Sequence, residues 1–125
     1  MFNILLVALG GAFGSVLRYL VGVSTTRLFG PAFPWGTLTV NVVGSFAIGL
    51  LTEVIARRFN ASTELRVFLV TGILGGFTTF SSFSLDTMVL IERGASGATV
   101  AYLAGTLCLS FLAIFAGLAL GRAMF

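Results

Sequence analysis

Charged residues occur only at the breaks between four long apolar runs. None lies in residues 1–17, 28–52, 67–85 or 94–121. A helix needs about 20 mostly apolar residues to cross roughly 30 Å of hydrocarbon. The runs therefore predict an all-α integral membrane protein, a single domain with spans near Asn3–Val23, Trp35–Val54, Leu65–Leu90 and Gly97–Gly121. Only 9% of the 125 residues are charged, too few for a water-exposed surface, and the mean hydropathy is +1.11. No basic residues precede the first run and no small-residue cleavage site follows it, so it is expected to be a span and not a signal peptide. Arg18 sits near the end of that span, where its long side chain reaches the interface. Trp35, at the start of the second, fits an aromatic belt.

Four spans put both termini on one side. Arg57, Arg58, Arg66 and Arg122 then face Arg27, Arg93 and Arg18, four against three. The positive-inside rule has almost nothing to act on. Copies are expected to insert in both directions, and two opposite copies to pair as an antiparallel homodimer. Gly10 and Gly14, Gly72 and Gly76, and Gly117 and Gly121 form GxxxG pairs, and Ser45 with Gly49 the looser small-xxx-small pattern. Such pairs mark where helices touch other helices.

The third run is unlike the others. Gly75 and Gly76 weaken its helix, and Thr78, Thr79, Ser81, Ser82 and Ser84 compete for its backbone bonds. A break mid-membrane is expected, and it must lie inside protein or along a wet cavity. Carbonyls freed at such breaks host sodium ions. In an antiparallel dimer two breaks meet at the two-fold axis, and four carbonyls there would cage one small cation; the alternative is a hydrated kink without an ion. Phe80 and Phe83 share a face if the helix resumes, and their positive ring edges suit an anion as well as they suit ordinary packing.

Two polar stripes run at helical spacing: Thr37, Asn41 and Ser45 on the second span, and Tyr102, Thr106 and Ser110 on the fourth. Hydroxyl and amide donors are what an anion stripped of water requires, although the same groups also bond helix to helix. Glu53, Asp86 and Glu92 lie towards helix ends and Glu64 in a loop, so no carboxylate sits mid-span to carry a proton or an organic cation. The chain has no His and no Lys, one Asp and one Cys. Catalytic dyads, a phosphate loop, a disulfide and a His/Cys metal site are therefore not expected, nor is nucleic-acid binding by seven scattered Arg. Cys108 reads as a small packing residue in the fourth span.

These residues resemble the Fluc (CrcB) family of fluoride channels over essentially the whole chain. The resemblance rests on Gly10-Gly11-Ala12-Phe13-Gly14 with Arg18-Tyr19, on the second-span run from Gly36 to Phe46, and on GILGGFTTFSSFS from Gly72 to Ser84. It implies a dual-topology homodimer in the bacterial inner membrane, with two pores. Fluoride that enters as neutral HF would ionise inside and leave passively. It further implies pore-lining Phe80 and Phe83, with Ser81 and Ser84 of the same segment, and a polar pore residue at Asn41 beside Thr37. Tyr102, Thr106 and Ser110 match the polar track, Arg18 matches the vestibule, and a structural sodium would be held by the Gly75 and Thr78 carbonyls. Ser82 stands where many relatives have Thr, and Asp86 where many have Glu. The rival readings are a four-span exporter of organic cations, which needs an acid in the first span, and a packing subunit that transports nothing.

Overall fold

Gly30, with φ +83°, ends the first helix, α1 (Phe2–Phe29). The helix runs past the expected Val23, and its one buried polar side chain there is satisfied within the helix. The Thr25 hydroxyl donates to the Val21 and Gly22 carbonyls at 2.9 and 3.2 Å. The computed structural model describes residues 1–57 and 62–124. Arg58, counted above on the terminal side, lies outside the described residues.

The second helix, α2, is Trp35–Arg57. The third segment is composite. A short α3 (Thr63–Arg66), capped by the Ser62 hydroxyl accepting from the Leu65 amide, leads into a π-helical stretch, Val67–Leu74. One α-turn follows, α4 (Gly75–Phe77). Thr78 and Thr79 are extended, and α5 (Phe80–Glu92) then begins. After a turn at Gly94, φ +73°, α6 (Ser96–Met124) completes the chain. Among the described residues, four helical segments are long and apolar enough to cross a membrane: Phe2–Phe29, Trp35–Arg57, Thr63–Glu92 and Ser96–Met124.

Two helix pairs build the bundle: α1 packs chiefly on the π-helical stretch and α4, and α2 chiefly on α6. Glycines make both contacts. A Cβ on Gly10 would lie 2.8 Å from the Phe68 carbonyl oxygen, and one on Gly76 2.6 Å from that of Gly11. In the second pair, a Cβ on Gly49 would lie 2.5 Å from the Ile114 oxygen, and one on Gly121 2.6 Å from Glu53 Cβ. Position numbers rise together along α2 and α6, so these helices run parallel.

Few side chains are fully buried. Val40, Ile55, Leu90 and Tyr102 are, while Phe2, Leu9, Phe13, Phe111 and Phe115 are exposed, as expected where lipid or a second copy replaces water. Cys108, read as a packing residue, is exposed instead. Helical rotation turns it away from Thr106 and Ser110, which α6 presents inward.

At one end of the α2/α6 pair, Glu53 accepts from Arg57 Nε at 3.0 Å and from Arg122 Nε at 2.9 Å. This carboxylate ties together the last turns of both helices. Glu53→Gln is expected to lower the melting temperature in detergent; an unchanged melting curve would show that the glycine contacts alone hold this end.

Candidate functional site

Two clefts lie one helical turn apart along α2 and α5. The first, about 270 Å³, is bordered by residues 30–36 and by Thr37, Asp86 and Arg93. The second, about 360 Å³, lies between α2, the start of α5 and α6. Its walls carry Asn41 and Ser45 from α2, Thr78, Thr79, Phe80 and Phe83 from the interrupted segment, and Thr106 and Ser110 from α6.

Asn41 organises the second cleft. Its Nδ2 donates to the Thr79 carbonyl at 3.0 Å, and its Oδ1 accepts from the Thr79 amide at 2.9 Å. The side-chain amide thus pairs with extended Thr79 as a neighbouring strand would, which satisfies backbone that has left the helix. In a continuous helix the Thr79 amide would bond to the Gly75 carbonyl; here it is directed to Asn41. Likewise the Ser82 amide, which would serve the Thr78 carbonyl, donates to Thr79 Oγ1 at 3.1 Å. The carbonyls of Gly75 and Thr78 therefore both lose their helical donors. An oxygen-seeking cation needs such acceptors, so these residues fit a sodium site. Among the described residues, no cluster of His, Cys, Asp or Glu offers another metal site.

The irregular backbone falls at Thr78 and Thr79, and not at the glycine pair expected to weaken the helix. Gly75 and Gly76 remain helical, and Gly76 provides the close approach to Gly11. On α2, Gly44 leaves the space that the Thr78 methyl group occupies.

The α6 stripe divides. Thr106 Oγ1 and Ser110 Oγ are buried and bond to no other described group, and both residues line the second cleft. Tyr102 is fully buried and lines neither cleft; its hydroxyl donates to Asp86 Oδ2 at 3.1 Å, to which Thr37 Oγ1 also donates at 2.7 Å. Two hydroxyls assigned by pattern to the path are thus engaged by Asp86, whose role the sequence did not reveal. The Phe80 and Phe83 rings stand 5.8 Å apart. Phe83 is buried against Tyr102, with centroids 5.1 Å apart, while Phe80 is 76% exposed at the cleft's open side.

Ser81 and Ser84 are exposed and border neither cleft; the Ser84 hydroxyl donates to the Phe80 carbonyl at 3.1 Å. Arg18 is half-buried on α1 and also lies outside both clefts. Neither joins the assembled group within one chain.

The cleft therefore offers buried hydroxyls, an amide and two phenylalanine rings, with no carboxylate on its described wall. Such a lining suits a small desolvated anion. The family described as CrcB-like protein, Camphor Resistance (CrcB), matches residues 5–118. Fluoride-specific ion channel FluC of Agrobacterium fabrum is 67% identical over 125 residues, covering 100% of both chains. The proteins of that name in Rhizobium etli (strain CFN 42) and Rhizobium meliloti are each 61% identical, over 124 and 122 residues, covering 99% and 98% of both chains.

Proposed function

Since the chain belongs to the CrcB-like family, we propose that it is a fluoride-selective channel of the bacterial inner membrane, which lets the anion leave the cell passively. The observation that carries this reading is the pair of buried, unpartnered hydroxyls at Thr106 and Ser110 beside the interrupted helix. In a structural role each would be bonded, because burying an unpaired hydroxyl costs about 1–3 kcal/mol. As donors to a passing anion they need no internal partner. The names of the similar proteins support the same ion.

The working unit is an antiparallel homodimer with two pores. Within each pore the Thr106 and Ser110 hydroxyls replace water around fluoride, and Asn41, which lines the same cleft, keeps a second Nδ2 N–H to donate. Phe80 and Phe83 contribute positive ring edges, which attract the anion without holding it as a full charge would. Phe80 is open within one chain, which suits a ring completed across the dimer. Ser81, Ser84 and Arg18 belong to the path only through the second copy or the outer vestibule. Thr37 and Tyr102 act at its edge by holding Asp86.

The two interruptions lie mid-membrane and meet at the dimer axis. The Gly75 and Thr78 carbonyls would hold a sodium ion, which when bound would supply a central positive charge. An exporter of organic cations is disfavoured, because Asp86 already accepts hydrogen bonds from two hydroxyls and no other carboxylate among the described residues borders either cleft.

Fluoride efflux from liposomes, followed with a fluoride electrode and with chloride as control, tests the reading. Fast fluoride release without chloride release is expected, and Phe80→Ile should remove most of it. No fluoride release from intact dimers would reject the channel and lead to organic-cation exchange as the next assay.

A further inference from the structure

The hydroxyl ladder of the second cleft stops before the cleft does. Along α6 the donors Thr106 and Ser110 are followed, one turn on, by Ile114. Along α2 the polar residues Asn41 and Ser45 are followed by Ile48. The two isoleucines lie within one helical turn of each other, Ile48 the further along. The parallel helices are in register there, because the Gly49 position meets the Ile114 carbonyl oxygen and the Gly117 position meets that of Phe46. Those backbone contacts seal the gap between α2 and α6 just beyond the isoleucines. An ion coming from Ser110 towards the Glu53–Arg122 end thus leaves its last buried donor about 6 Å before Ile114. It must then pass Ile114 and Ile48, and Ser45 is the last polar side chain that either helix brings to the cleft wall on that route.

We propose that Ile114, with Ile48, forms an apolar throat that limits the rate of fluoride passage at this end of the path. Hydrophobic constrictions oppose ions because water withdraws from them, and past Ser45 two aliphatic side chains offer fluoride no further donor from α2 or α6. The donors upstream give the ion its site; the throat sets how fast it leaves. The assignment rests on the channel reading and deepens it by naming the residue that governs throughput.

Single-channel or macroscopic fluoride currents in planar bilayers test it, with flux from liposomes in parallel. Ile114→Thr adds a hydroxyl at the next rung with little change in shape, and the fluoride current is expected to rise several-fold with chloride still excluded. Ile48→Thr should act in the same direction, and Ile114→Phe should lower the current. A gain in rate cannot come from misfolding, so it separates the throat from a purely structural role. Wild-type currents in both threonine variants would overturn the throat while leaving the channel intact. Absence of fluoride current in the wild-type protein would instead overturn the channel reading itself.

Discussion

Fluoride efflux through Asn41→Asp is expected to fall to the leak of protein-free vesicles. Asn41 meets Thr79 twice, through Nδ2 at 3.0 Å and Oδ1 at 2.9 Å. Aspartate keeps the acceptor but replaces the donor with an oxygen, which then faces the Thr79 carbonyl with no proton between them. It also brings a negative charge to the wall of a cleft that would carry an anion. Removing one partner from a buried hydrogen-bonded pair costs about 1–3 kcal/mol, and a buried unpaired charge costs more. At about 1.4 kcal/mol per factor of ten, the loss should exceed roughly a hundredfold. The check is electrode-recorded efflux from liposomes whose protein elutes as a single species. Flux within a factor of a few of wild type would show that the Asn41–Thr79 pairing does not shape the path.

The largest effect on stability should come from a single methyl group. In Gly14→Ala the new Cβ would overlap the Ile73 carbonyl and lie 2.9 Å from the Phe77 amide nitrogen. Both neighbours are backbone, so no rotamer change relieves the clash and the helices must part. Overpacking costs typically about 1–3 kcal/mol and occasionally more, and here it acts on the contact that positions the whole interrupted segment. Loss of the monodisperse peak in detergent, or a large fall in melting temperature, is the expected result. Gly22→Ala is the matched control, since nothing lies within 4 Å of its added Cβ, and it should melt at or slightly above wild type. Equal behaviour of the two variants would mean that α1 tolerates displacement from its neighbours.

The four helices were legible because bilayer thickness imposes length and apolarity on each run. Their ends were less so, because α1 continues to Phe29 wherever its backbone stays satisfied, and only Gly30 stops it. The unusual character of residues 72–84 was also legible, from glycine beside a cluster of hydroxyls. The position of the interruption was not. Gly75 and Gly76 look like the weak point, yet both stay helical, Gly76 against Gly11, and the extended residues are those that Asn41 can reach from α2. That partnership spans 38 residues of sequence and leaves no local signature. The same limit hid Asp86: spacing placed Thr37 and Tyr102 in polar stripes, but their common acceptor lies on a third helix.

The pairing of α2 with α6 also bears on how the chain is made. Synthesis runs from the N-terminus, so α2 (Trp35–Arg57) enters the membrane long before its main neighbour, α6 (Ser96–Met124), exists. Until then Gly49 has no Ile114 backbone to meet, and Glu53 has no Arg122 to complete its ion pairs. α1 and the third segment, in contrast, join through glycine backbone as soon as both are present. The nascent protein therefore passes through a three-helix stage in which one half is assembled and the wall of the cleft is still missing.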